Sequence, residues 1–474
     1  RCLFFFVFFI MCVGERLSLT TDQLLKRPDL VAVDGVLYDI VGLAKAHPGG
    51  DLIQASGAAD ASALFHSMHP GTKPENSKLL QEFIRGEHVR DSKTDPVYAY
   101  DTDFAKDVRK SVREVMKGVN WYAPMGFWIR TAVIMALTVV GEWYWMTTGM
   151  LMWAMFTGFM HMQIGLSIQH DASHGAISKR PWVNALFAYG IDCIGSSRWI
   201  WLQSHIMRHH PYTNHQGLDL DAGSAEPFIL FHDYPAASQN RKWYHRFQAF
   251  YLHAILAFYG LSMTYNPYYL FRMQHNDTIP NSTTALAKDG FLRQYRAYAV
   301  AMRLFFIFRT AVMPWYLCGV NPLIAIPIVP TFTGIFLTFV FVVSHNFEGS
   351  EREPAKKCLA KASEAEKKSG DDSTAQDDKI DWYQAQAETS CTYGGMGGMI
   401  FTGGLNMQIE HHLFPRMSSW HYPRIQKTVQ EVCERHGVRY AYYPTLWDNV
   451  ISTLKYMNKV GIAQTLAHAQ AELS

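Results

Sequence analysis

Apolar residues in this chain gather into a few long runs separated by polar stretches. GFWIRTAVIMALTVVGEWYWM (126–146) and MLMWAMFTGFMHMQIGLSIQ (150–169) each reach the roughly 20 residues that carry a helix across a bilayer, and only Thr147, Thr148 and Gly149 separate them. LIAIPIVPTFTGIFLTFVFVVS (323–344) is a third such run. YAVAMRLFFIFRTAVMPWYLC (298–318) is a fourth, weakened by Arg309 near its middle, where a charge is costly in lipid. GVNP (319–322) offers a turn between the last two, so the pattern predicts four membrane helices arranged as two hairpins. QAFYLHAILAFYGLSMTY (248–265), with His253 and several tyrosines, is assigned to the membrane interface. Both hairpin turns, 147–149 and 319–322, lack Lys and Arg, while the other loops are rich in them. The bias toward positive cytosolic loops then puts both turns in the lumen and every other loop in the cytosol. A soluble protein with buried helices is the alternative, disfavoured by such long runs with short polar turns.

Composition narrows the class. With 474 residues and a net charge of +2, the chain has room for two or three domains and neither a basic nucleic-acid-binding nor an acidic-tail balance, so no nucleic-acid partner is expected. Aromatic residues at 14% and 21 methionines suit a membrane interface. The 7 cysteines form no C-x-x-C pair and read as reduced thiols of a cytosol-facing protein. RCLFFFVFFIMCVG (1–14) is an apolar stub too short for an ordinary span and is set aside. Residues 350–381 are charged and poor in aromatics and read as a flexible cytosolic insertion; 461–474 is a C-terminal tail.

Candidate chemistry lies in the histidines. HIMRHH (205–210) puts His205 and His209 one turn apart on a helix, with His210 beside them and Pro211 discouraging further helix. HDASH (170–174) supplies His170 and His174 on one helical face, QIEHH (408–412) supplies Gln408, His411 and His412, and His345 stands just beyond the 323–344 run. A lone histidine is most often a satisfied core residue. Eight from four segments, all on one side of the membrane, are too many for one metal and suit two. Ligand type alone leaves iron, copper and zinc open. His161, inside a run, and His245 have no such grouping and read as structural or interfacial. Separately, VDGVLYDIVGLAKAHPGGDLI (33–53) contains H-P-G-G and is followed by DASALFHSMHP (60–70).

The boxes HDASH, HIMRHH and QIEHH resemble the signature of the membrane-bound acyl-lipid desaturases. Their flanks, QHDASHGAISKRPWVN, RHHPYTN and GGLNMQIEHHLFPRM, look like the front-end fatty acid desaturases over most of 95–460. The resemblance implies a non-haem di-iron centre at the cytosolic mouth of the bilayer, held by His170, His174, His205, His209, His210, His345, His411 and His412. Gln408 stands where other desaturases have histidine, as in the front-end branch, and with His411 and His412 is expected to act in catalysis. The 33–53 and 60–70 stretches resemble cytochrome b5, which implies haem b held by His47 and by His69 or His66. His69 is favoured, because in similar fused domains the ligand lies nine residues after the Asp of D-A-[ST], here Asp60.

The fold class so implied is an α-helical integral membrane desaturase core, four transmembrane helices with a cytosolic helical cap, behind an N-terminal α+β cytochrome b5-like domain. Its expected divisions are the haem domain at 18–92, a linker and amphipathic segment at 93–125, and the desaturase domain at 126–460. Breaking an unactivated C–H bond is beyond any side-chain acid or base, so the oxidant must come from metal and O2. The implied reaction inserts a cis double bond between an existing double bond and the carboxyl end of a fatty acyl chain, carried as acyl-lipid or acyl-CoA. Electrons would come from NADH through a separate cytochrome b5 reductase. The implied location is the endoplasmic reticulum membrane, more than a plastid membrane, with the haem domain and the boxes in the cytosol. FTGGLNMQIEHHLFPRMSS and YAYYPTLWDN look most like the diatom and algal Δ5 polyunsaturated desaturases; Δ4 and Δ6 stay open. A sphingolipid desaturase or acyl hydroxylase on the same scaffold, a His-rich transporter, or a non-catalytic haem- or metal-binding membrane protein are the alternatives.

Overall fold

The structure, a computed structural model, describes residues 16–47, 49–90, 98–215, 217–232, 241–266, 295–350 and 379–462. The apolar stub 1–14, residues 351–378 of the expected insertion and residues 463–474 of the tail lie outside the described residues.

The N-terminal domain is a five-stranded sheet in the order β1-β5-β3-β2-β4, with β1 at Leu17–Thr20, β2 at Leu30–Val33, β3 at Val36–Asp39, β4 at Ala59–Asp60 and β5 at Ile84–Val89. Strands β2 and β3 form a two-residue hairpin at Asp34 and Gly35, both with positive φ (50° and 79°), as the Asp-Gly pair favours. Two helices follow, and each ends at a histidine of interest. Ile40–Ala46, N-capped by Asp39, which accepts from the Gly42 N–H, stops at His47. Ser62–Met68 stops at His69.

Tyr98–Ala99 then pairs in parallel with Ile380–Asp381, so the last two residues of the expected flexible insertion are part of a fixed strand. Asp381 explains the correction, since it caps the helix Trp382–Glu388 through the Gln384 N–H and accepts from the Thr102 hydroxyl. Thr102 in turn caps Asp103–Val115, whose apolar face (Phe104, Ala105, Val108, Val112) is buried in one cluster with Ile425, Val429 and Val432 of the helix Tyr422–Arg435.

Four helices are long and apolar enough to cross a membrane: Met125–Thr148, Leu151–Ser173, Arg296–Cys318 and Pro322–His345. They are the four expected spans. Gly149 and Gly319, in the left-handed conformation (φ 63° and 72°), terminate the first and third helices and make the two hairpin turns. Ile129, Val133, Val139, Trp143, Met155 and Phe305 remain exposed around the outside, as a lipid-facing surface requires. The awkward Arg309 is matched: its guanidinium donates to both oxygens of Glu142 in the first span, and Glu142 Oε1 lies 2.8 Å from His161 Nε2 in the second. His161 therefore has a structural partner, as expected, and three spans are tied by one buried ionic group.

The segment 248–265, expected at the membrane interface, is not among the four membrane-capable helices. It is a helix, Gln248–Tyr265, lying lengthwise and antiparallel against the fourth span: Leu252 and Leu256 share a cluster with Val342, and the Tyr265 hydroxyl donates to the Ile326 carbonyl at 2.7 Å. Gly260 and Gly334 permit this, since a Cβ on Gly260 would sit 1.8 Å from the Pro330 carbonyl oxygen. The glycine at the contact is the sequence feature that marks this close helix packing.

Candidate metal centre

Two π-helical segments position the first two boxes. Ile164–Gln169 leads directly into His170–Ser173, and Leu202–His209 leads into His210–Tyr212. A π-turn closes i→i+5 and not i→i+4, and such turns recur at functional sites. The wider turn changes which histidines meet. His205 joins His210, five residues on, in a five-histidine group, while His209 lies with His345 and His412; His205 and His209 still stack, as their spacing predicts, and come together with Asp221 as well. Pro211 also does not end the helix at once, which runs on to Tyr212.

The eight histidines form two groups. His170, His174, His205, His210 and His411 are one; His209, His345 and His412 are the other; in each, the donor atoms lie within 4.8 Å of one another. Neighbouring residues (209 and 210, 411 and 412) feed alternate groups, so the two sit side by side. All eight are at most 5% exposed. In the first group Nε2 atoms converge: 3.1 Å from His170 to His205, 3.2 Å from His205 to His210, 3.0 Å from His210 to His411. Neighbouring ligands on one ion with bonds of about 2.1 Å, as imidazole makes to zinc, stand about 3 Å apart. Both ring nitrogens of His174 and Nε2 of His209 are buried without a hydrogen-bond partner, which a bound cation would explain. The donor set therefore fits two metal ions.

Gln408 belongs to the second group. Its amide nitrogen lies 3.0 Å from His345 Nε2 and 3.4 Å from His412 Nε2, and its Oε1 is buried without a partner. A half-turn of the amide exchanges its two ends, so either the oxygen or the nitrogen can face a bound ion.

Outside the ligand atoms, the opposite ring nitrogens are held. His209 Nδ1 donates to Asp219 (3.0 Å), His345 Nδ1 to the Thr389 carbonyl (3.0 Å), and His412 Nδ1 to Gln386 Oε1 (2.8 Å). His411 Nδ1 donates to the Tyr422 hydroxyl (3.0 Å), which passes its own proton to the Met417 carbonyl. Each bond leaves Nε2 for the ion. Asp171, inside the first box, receives the Ser419 N–H and the Ser418 and Ser419 hydroxyls, tying that box to the segment behind the third. Burial pushes His174, His205, His210, His411 and His412 well below the ordinary histidine value, so all are neutral donors. His209 runs the other way: burial would lower it, but Asp219 and Asp221 outweigh burial and raise it. Asp219, Gln386, Thr389 and Tyr422 escaped the sequence reading, because no spacing links them to the boxes and only the fold brings them there.

In the N-terminal domain His47 and His69 face each other, ring centroids 5.8 Å apart and planes at 75°. His69 Nδ1 donates to the Phe65 carbonyl at 3.0 Å, leaving Nε2 toward the gap. A Cβ on Gly49 would come within 2.9 Å of the His47 ring, so the H-P-G-G glycine is a steric requirement of the ring's position. His66 is turned away; its Nε2 lies 2.9 Å from Asp34 and its ring stacks on Tyr100 at 3.8 Å. The pair suits a planar group with an imidazole on each face, and haem fits it.

Comparison with known proteins agrees with both halves. Residues 145–444 match the family described as fatty acid desaturase, and residues 21–89 the cytochrome b5-like haem/steroid binding domain. The chain is 30% identical over 456 residues to the acyl-lipid (7-3)-desaturase of Diacronema lutheri, covering 94% of each. It is 32% identical to the chloroplastic acyl-lipid (7-3)-desaturase of Chlamydomonas reinhardtii (90% of this chain, 80% of the relative) and 28% identical to the probable Delta(5) fatty acid desaturase C of Dictyostelium discoideum (91% of each). With this membrane core, these histidine groups and a fused haem-domain fold, the chain belongs to the fatty acid desaturase family, in its cytochrome b5-fused branch.

Proposed function

We propose that the chain is a front-end desaturase of polyunsaturated fatty acyl chains, acting at the Δ5 position. In the reaction an acyl CH2–CH2 unit, O2, two electrons and two protons give a cis CH=CH unit and two waters. The observation that carries the reading is the pair of adjacent, buried histidine groups, five imidazoles in one and three with Gln408 in the other. We assign one iron to His170, His174, His205, His210 and His411, and the other to His209, His345 and His412 with Gln408. Bound there, the irons would supply the O2-derived oxidant that the C–H bonds demand. The protein's own share is geometric and electrostatic. Histidine Nε2 atoms hold the ions, Asp219, Thr389, Gln386 and Tyr422 fix the ring orientations, and burial keeps water from the oxidant. Gln408 offers both a weak oxygen ligand and an amide donor, which imidazole bound through one nitrogen does not.

His47 and His69 are assigned as the residues that would hold the haem. Held by two imidazoles, it would supply electron transfer and not oxygen binding. His66 is the poorer candidate because Asp34 and Tyr100 already hold it. The reductant is NADH acting through a separate cytochrome b5 reductase, and the substrate an acyl-lipid or acyl-CoA. The membrane is assigned as that of the endoplasmic reticulum, and the absence of Lys and Arg in both hairpin turns supports a cytosolic placement of the boxes and haem domain. A (7-3) position is the second reading, favoured by the names of relatives at 30–32% identity. Feeding C18, C20 and C22 polyunsaturated acids to yeast expressing the chain and locating the new double bond by mass spectrometry decides between them. A hydroxylated product, or none from any acid, would overturn the reading.

A further inference from the structure

Arg416 lies four residues beyond His412, in the stretch that leaves the third box, yet its guanidinium reaches the N-terminal domain. Nη1 donates to the carbonyl of Met68 at 3.4 Å, and the next residue is His69. The guanidinium therefore stands at the end of the helix Ser62–Met68, next to His69. Among the described residues Arg416 is paired with no carboxylate, whereas the cations Lys73 and Arg109 on the same side of the domain share Asp101. An arginine has five N–H donors in a fork that matches a carboxylate, and most of these are unspent here.

We propose that Arg416 is part of the haem site: a residue of the desaturase domain that holds a carboxylate at the edge of the haem, so that the cofactor is gripped across the domain boundary. The inference rests on the assignment of His47 and His69 as axial ligands. It gives the fused architecture a physical purpose. The helix Gln408–Leu413, which carries Gln408, His411 and His412, continues through only Phe414 and Pro415 to Arg416. A haem held by Arg416 is thereby kept in fixed register with the metal centre. The same surface is packed elsewhere, since Ala63 of the helix that ends at His69 is buried in one cluster with Tyr212, just after the second box.

The test uses the full-length protein in detergent, loaded either with haem or with haem dimethyl ester, which lacks the free carboxylates. Haem loss to apomyoglobin and the haem midpoint potential are measured for the wild type, Arg416→Gln and Arg416→Lys. For the native haem, Arg416→Gln is expected to speed loss about twofold to fivefold, the range of an exposed ion pair, with the bis-imidazole spectrum intact. The potential should fall, because a nearby cation favours the more negative ferrous state, and Arg416→Lys should recover part of both effects. With the dimethyl ester, wild type and Arg416→Gln should coincide. Equal effects on both haems would mean that Arg416 serves only the Met68 carbonyl, and no effect on native haem would likewise overturn the proposal. A wild type without a low-spin bis-imidazole spectrum would instead overturn the axial assignment beneath it.

Discussion

The chain holds histidines in two ways, and the two regions differ in how much each depends on its surroundings. His47 and His69 cap successive helices of one small domain, partly exposed, with a glycine making room for the first ring. The eight histidines of the core come from four segments spread from residue 170 to 412, are buried, and lean on one another and on Asp219, Gln386, Thr389 and Tyr422. A local pair can lose a neighbour and keep its shape. A crowded, low-dielectric network cannot, because each removed group leaves another polar group unmatched. Damage should therefore grade steeply from the core to the haem domain.

The largest effect is expected inside the five-histidine group. His210 is at once a neighbour of His205 and of His411, so His210→Ala removes a ligand and leaves two buried nitrogens facing a void. Desaturated product should fall below detection in fed yeast while the protein stays in the membrane. His345→Ala, which takes one of only three imidazoles from the other group, should do the same. Normal product from the His345 variant would remove that residue from the ligand set. Gln408→Leu comes next and should also be inactive, since it forfeits both the oxygen and the amide donor. Gln408→His should keep two irons per chain but lose much of the turnover. A leucine variant with wild-type turnover would make Gln408 a spectator.

Asp219→Asn ranks third, because it spares every ligand and only loosens one. Removing such an orienting partner typically costs about 10- to 100-fold in metal affinity or activity. Iron titration against turnover should show that excess iron restores part of the activity, which a ligand deletion would not allow.

How legible each region was follows from the same contrast. The spans, their two turns and the boxes were readable because a twenty-residue apolar run and an i, i+4 histidine pair are local patterns. How the histidines of the second box divide between the two groups was not readable, because the π-turn at Leu202–His209 shifts the register that spacing alone implies. Asp219, Gln386 and Tyr422 were unreadable for a topological reason, since they reach the histidines only after the core has folded. The charge at Arg309, which weakened the third span on paper, was resolved by Glu142 from a different hairpin. The packing of segment 248–265 along the fourth span was not legible, because it depends on Gly260 meeting Gly334 only once the core has folded.

Fourth, His47→Ala should abolish the haem absorbance and most turnover, because the fused domain donates at high effective concentration. It should not abolish all of it, as a host's free cytochrome b5 can still deliver electrons to an intact metal centre. Undiminished turnover without haem would show that the domain is not the donor.

The smallest effect is expected at His66, where the haem domain can be probed against itself. His66 is bonded to Asp34 and stacked on Tyr100, so His66→Ala should cost about 1 kcal/mol of packing and hydrogen bonding and leave the low-spin haem spectrum unchanged. His69→Ala should turn that spectrum high-spin; the reverse result would exchange the two assignments. Acid separates them again in haem-free protein. Burial holds His69 at about 4, below its ordinary 6.5. As the pH falls below 6.5 the unfolded chain takes up the proton first, so this group's share of stability is complete above 6.5 and drains away down to about 4. The melting temperature of the haem-free wild type should therefore fall across that window. His69→Ala should flatten the fall, and an equal slope in the His69 variant would mean that its ring is not the buried, neutral one.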